Sequence, residues 1–184
     1  RRMAVLDPVK LVIENYPDGQ EETAEVPNHP QKPEMGKRQV PFAKELWIER
    51  EDYQEVPAKG YFRLYPGNMV RLRYGYVVKC TGYDKATDTV RCTYFADSKS
   101  GTEGANSYKV KGNIHWVSVK HAHAAEVRLV DRLFKAEHPE GMEHLNPHSL
   151  KSIPAQLESS LRGERGDAAV QFERHGYFKA DPRH

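Results

Sequence analysis

Cysteine is nearly missing from this 184-residue chain: Cys80 and Cys92 are the only two. That count excludes a disulfide-stapled secreted scaffold. The pair is expected as two reduced, half-buried thiols, nearly opposite each other across the polar turn YDKATDT. Long hydrophobic runs are absent as well. No stretch approaches the roughly 20 apolar residues of a membrane span, and no charged-then-apolar leader precedes a cleavage site, so the expectation is a soluble protein of the cytoplasm. Net charge is small, +2, and any nucleic-acid partner must therefore be argued from local clustering. Neither a GxxxxGK[ST] loop nor a GxGxxG turn is present to cradle phosphates. An initiator methionine is lacking too. The chain begins at Arg1 and enters the apolar run MAVLDPVKLVIENY directly, as a piece cut from a longer chain would.

What is present is β-forming. Twelve prolines, thirteen glycines and ten tyrosines lie among short runs rich in Val, Ile, Thr and aromatics, the pattern of many short strands joined by turns. Met3 to Tyr16 reads as strand with a bend at Asp7-Pro8, and Glu45 to Glu49 as another. Tyr76–Tyr83 and Thr89–Tyr94 pair as a hairpin. In Tyr108–Ser118, Val110, Ile114 and Trp116 face inward while Lys109, Lys111 and His115 face outward. Ala125–Phe134 fits both strand and helix periods and is taken as strand; Val170–Phe178 is the last. Pro27–Gln39, Asp97–Asn106 and Glu137–Pro147 read as loops, the first too proline-rich for a ladder. Nine or ten short strands predict an all-β fold of small barrels or a sandwich.

One stretch stands out, YFRLYPGNMVRLRYGY from Tyr61 to Tyr76. Tyr65-Pro66-Gly67-Asn68 suits a type II turn, so a hairpin is expected here, with Val70, Leu72 and Tyr74 on one face and Arg71 and Arg73 on the other. From Lys59 to Lys79 there are five cations, Lys59, Arg63, Arg71, Arg73 and Lys79, and no acid. Such a surface suits an unpaired nucleic-acid strand, whose phosphates meet cations while bases stack on rings. It equally suits arginines lying along the wet face of a half-buried strand.

Catalytic signals are weak. His121 and His123 share a strand face, and His138, His144 and His148 fall in one loop, but none has a Cys or carboxylate at ligand spacing, so no metal site is expected. No histidine neighbours either cysteine to activate it. Glu51-Asp52 reads as a solvated turn.

Six segments, RMAVLDPVKLVIENYP, PNHPxKPEMGxRQVPF, YxRLxxGxxVRLRxxY, KVKGxIHWVS, RLxDRLF and QFERxGYF, resemble in order the C-terminal anticodon-binding region of the glutaminyl-tRNA synthetase family. The resemblance implies two β-barrels: a proximal one from residues 1–27 plus 125–184, and a distal one from 28–124. It implies binding of the anticodon loop of glutamine tRNA by a monomer, no cofactor on this chain, and a separate catalytic domain that carries the HIGH and KMSKS-type elements missing here and binds ATP and glutamine. By motif, Arg1, with Arg2 as the alternative, would reach the middle base together with Gln171 and Arg174. Arg63 would read the third base, and Arg71 and Arg73 would hold the first base and its phosphate. Tyr61 offers a stacking face. The pattern departs at Gly60 and Phe62, where family members carry a glutamine and a lysine, and Phe62 is expected to stack instead. Gln31 stands where relatives have a shorter amide. A free-standing β-barrel RNA-binding module and a protein-interaction barrel are the alternatives.

Overall fold

The computed structural model describes residues 1–164 and 169–181; the last residues assigned to the proximal barrel, 182–184, lie outside that range. Its strands are β1 (Ala4–Leu6), β2 (Pro8–Ile13), β3 (Glu22–Pro27), β4 (Lys37–Phe42), β5 (Glu45–Glu49), β6 (Met69–Leu72), β7 (Val77–Asp84), β8 (Thr89–Tyr94), β9 (Gly112–Ile114), β10 (Val117–Ser118), β11 (His123–Val130), β12 (Leu150–Leu157), β13 (Ala169–Phe172) and β14 (Gly176–Lys179). Helical structure among the described residues is confined to short 3-10 turns. The fold is all-β, as the composition implies.

A seven-stranded sheet in the order β10-β5-β2-β8-β7-β6-β9 accompanies a three-stranded sheet β1-β12-β11 and the two-stranded pairs β3–β4 and β13–β14. β2 pairs parallel with β8, and β6 with β9; the remaining neighbours are antiparallel. Residues 8–27 form β2 and β3, whose partners β5, β8 and β4 all come from segment 28–124.

Two apolar cores result, and β1 separates them. Successive side chains on a strand point to opposite faces. Met3 and Val5 therefore enter the larger core with Leu11, Phe42, Leu72 and Trp116, while Ala4 and Leu6 enter the smaller one with Val127, Leu157 and Phe172. All three residues of β1 are buried. The break predicted at Asp7-Pro8 is present, with Asp7 at φ 48°, and it redirects the chain from the three-stranded sheet into the seven-stranded one.

Several expectations are corrected. The Tyr65–Asn68 turn forms, with Asn68 N–H donating to Tyr65 O at 2.9 Å and Gly67 at φ 91°, but residues 61–64 do not pair back across it. β6 pairs instead with β7 through a turn at Arg73–Tyr76, in which Tyr74 takes φ 63° and still packs against the larger core with Val70 and Leu72. Segment 61–64 lies over Gly112, where a Cβ would stand 2.2 Å from Phe62 O; side-chain alternation does not foresee this close backbone approach. The Tyr108–Ser118 alternation breaks after Ile114, so His115 is buried rather than outward. Val170–Phe178 is a tight hairpin, not one strand, with Arg174 at φ 67° in its turn. β12 is missed entirely by the sequence reading because Pro154 interrupts its pattern, yet it pairs with both β1 and β11. Lys37–Gln39, expected as loop, belongs to β4. The 97–106 loop carries a 3-10 turn, Glu103–Ser107, and is braced by Arg71. Cys80 and Cys92 do lie opposite each other, but both are fully buried.

Candidate nucleic-acid interface

A cleft of about 370 Å³ opens where the chain start meets the β13–β14 hairpin. Arg2 N–H donates to Gln171 O at 2.8 Å and Glu173 N–H to Arg2 O at 2.9 Å, so residues 1–2 run alongside 171–173. This backbone pairing brings four of the expected residues, Arg1, Arg73, Gln171 and Arg174, to one cleft wall. Arg1 Nε donates to Gln171 Oε1 at 2.8 Å. Arg73 Nη1 lies 3.3 Å from Glu173 Oε2, and its guanidinium sits 5.6 Å from the Tyr74 ring centre. The Arg73 Nε–H is buried with no hydrogen-bond partner among the described residues.

Arg174 is oriented from below. Its Nη1 and Nη2 donate to the two oxygens of Asp52 at 2.9 and 2.7 Å, and its Nε–H to His115 Nδ1 at 3.1 Å. With Nδ1 accepting, the His115 proton sits on Nε2, 2.7 Å from Ala4 O and 3.0 Å from Glu49 Oε1. The Asp52 side chain is 0% exposed, which corrects its reading as part of a solvated turn. Burial lowers Arg174, but hydrogen bonds and charge from Asp52 outweigh it and raise its pKa.

Arg63 approaches the same carboxylate, 3.1 Å from Asp52 Oδ1 and 3.6 Å from Glu51, and lies 5.2 Å from the Tyr61 ring centre. The Tyr61 hydroxyl donates to Glu51 O at 3.2 Å, and burial pushes its pKa up. Phe62 is 52% exposed, with Lys111 Nζ 5.0 Å from its ring centre. The rings and cations of the 61–63 segment thus share one surface.

The remaining expected residues lie apart from the cleft. Arg71 directs its guanidinium at the 97–107 loop, donating to Gly75 O, Ser98 O and Ala105 O at 3.0, 2.7 and 2.7 Å, and burial lowers its pKa. Gln31 is exposed between β3 and β4, its backbone N–H on His29 Nδ1. The sequence reading missed the acids that organise these cations: Asp52, Glu173, Glu49 and Glu158, all buried. Only the QFER motif, which contains Glu173, pointed at one of them. Glu49, His115 and His175 also bring one ligating atom each within 4.8 Å of one another. Leu6 N–H, His115 and His175 all hydrogen-bond to one Glu49 oxygen, so the group is already closed on itself.

Curled β sheets with arginine, amide and aromatic groups converging on a polar cleft define a β-barrel module of the nucleic-acid-binding class. The chain belongs to the family described as tRNA synthetases class I (E and Q), anti-codon binding domain: one model of that description matches residues 1–95 and a second matches 113–181. Similar proteins include the glutamine–tRNA ligases of Cupriavidus metallidurans, 56% identical over 98% of this chain and 33% of the relative, and Cupriavidus taiwanensis, 57% identical over 98% and 32%. That of Bordetella avium is 54% identical over 100% of this chain and 33% of its own length. The chain thus spans about a third of the curated relatives it matches. Among the described residues no helix is long and apolar enough to cross a membrane.

Proposed function

We propose that this chain is the anticodon-reading part of a glutamine–tRNA ligase, selecting glutamine tRNA for ATP-dependent aminoacylation by a catalytic domain outside this sequence. The parent enzyme is read as a monomer of the cytoplasm, with ATP and glutamine bound by that other domain. The chain is divided between two barrels, a proximal one of residues 1–27 plus 125–184 and a distal one of residues 28–124, with β2 and β3 pairing into the distal segment. The observation that carries the reading is the cleft in which Arg1 and Arg73 meet Gln171 and Arg174, more than 90 residues away in sequence. Guanidinium forks match base acceptors and phosphate oxygens, an amide both donates and accepts, and exposed rings stack on unpaired bases. Arg1, Gln171 and Arg174 would take the middle base, and Arg63 with Tyr61 the third. Arg73, which lines the cleft, would take the first base or its phosphate. Phe62 adds a stacking surface beside Lys111. Arg71 would act on the first base through the loop it braces, and Gln31 from the rim.

The test is Arg63→Ala in the full-length ligase. A bidentate base contact is worth about 1 to 3 kcal/mol, so kcat/KM for glutamine tRNA falls by about 5- to 150-fold. The loss should shrink with a tRNA already substituted at the third anticodon base. An equal loss on both tRNAs refutes direct base reading.

A further inference from the structure

Two of the cations on this surface, Arg63 and Arg174, share a single buried anion. Asp52 ends the 3-10 turn Arg50–Asp52 that follows β5. Its main chain is fixed: Leu64 N–H donates to Asp52 O at 2.9 Å, and Gln54 N–H to Leu64 O at 3.0 Å. The segment carrying Arg63 is thereby clipped to the segment carrying the carboxylate. Across the boundary between the two cores, the β13–β14 turn delivers Arg174 to both oxygens of the same group, while Arg63 Nη1 stands 3.1 Å from Oδ1. Three of the five N–H donors of Arg174 are thus engaged, by Asp52 and His115, and two are left for a ligand.

Accepting the roles given above to Arg63 and Arg174, on which the inference rests, we propose that Asp52 is a positioning residue that couples the readers of the third and middle anticodon bases. Two guanidiniums held against one carboxylate repel each other, and Asp52, whose own side chain is closed to water, offsets that repulsion although both guanidiniums still reach solvent. It also removes rotamer freedom from two long side chains before RNA arrives, so neither base contact carries that ordering cost alone. Displacing one arginine changes the field and the freedom felt by the other. The third and middle bases are therefore read as a unit, although Arg63 and Arg174 belong to opposite ends of the chain.

The experiment uses the full-length ligase, measuring kcat/KM for glutamine tRNA and for tRNAs substituted singly at the third or middle anticodon base. Asp52→Asn is expected to lower discrimination at both positions, each by at least about threefold. In an Arg63→Ala background, the same change should still lower discrimination at the middle base and add nothing at the third. A purely structural defect would not sort itself by base. Should Asp52→Asn fail to fold, the cycle of Arg63→Ala and Arg174→Ala decides: the double variant loses less than the product of the single losses, by at least about threefold. Strictly multiplicative losses, or a folded Asp52→Asn enzyme with unchanged discrimination, overturn the coupling. If neither arginine variant alters discrimination at any anticodon base, the base-reading assignment fails instead.

Discussion

Lys37 and Arg38 are neighbours on β4, each in a close ion pair, and they should differ severalfold in what they contribute. Lys37 Nζ meets Glu25 at 2.5 Å with the two side chains 61% and 55% exposed. Arg38 Nε and Nη2 meet the two oxygens of Glu158 at 2.6 and 2.7 Å with 11% and 1% exposure. Glu158 also accepts the Met3 N–H at 2.7 Å, so it ties β1 and the end of β12 to β4. Removing Lys37 returns two solvated side chains to water, at a cost of about 0 to 1 kcal/mol. Removing Arg38 takes the bidentate partner from a carboxylate that water cannot reach and leaves it the Met3 amide, the Ser160 hydroxyl and Arg2 Nε 3.7 Å away, at a cost of about 3 to 5 kcal/mol. With a urea dependence on the order of 2 kcal/mol per M for a chain of this size, Arg38→Ala should lower the unfolding midpoint by about 2 M, and Lys37→Ala by less than about 0.5 M. Fluorescence of Trp47 and Trp116, which belong to the larger core, reports the transition. Equal shifts for the two variants would refute the claim that burial rather than distance sets the value of these pairs.

Acid should weaken the fold through Glu49. Burial works against its charge, but hydrogen bonds from His115, His175 and the Leu6 amide hold its pKa at about 2 against an ordinary 4.5. A carboxyl depressed in the folded state stabilises above its unfolded pKa and loses that contribution as pH falls through the folded one. The contribution is therefore roughly 3 kcal/mol at neutral pH, with roughly 2 of it gone by pH 3. The stability difference between wild type and Glu49→Gln, measured by urea unfolding, should narrow by that amount between pH 6 and pH 3; a constant difference refutes the assignment. At the Tyr65–Asn68 turn, Gly67 holds φ 91° with no atom near a would-be Cβ, so the cost of a side chain there is purely conformational. Gly67→Ala should destabilise by about 1 kcal/mol, and thermal unfolding with no loss would show that the turn relaxes.

Much of the fold is legible in the sequence itself. Turn residues and period-two runs located the seven-stranded sheet's β5, β7 and β8, the Asp7 break and the register that sets Cys80 against Cys92, because these depend on near neighbours in sequence. Motif order identified the family and named Arg1, Arg63, Arg73, Gln171 and Arg174. Local pattern could not place Arg174, which adopts positive φ in a turn where strand alternation no longer aims a side chain. Nor could it reveal β12, whose Pro154 is tolerated because the β1 ladder ends one residue earlier, at Leu6 opposite Ala155, so the missing N–H faces the strand end where the chain bends at Asp7.

What the sequence alone determined is the all-β character, the family and the set of cations and rings; composition and short-range periodicity suffice for those. Tertiary structure alone decided which acid faces which arginine. Asp52 reads as an ordinary polar turn until residues more than a hundred positions away fold over it. Only then does burial turn a solvated carboxylate into the group that holds Arg63 and Arg174 in place.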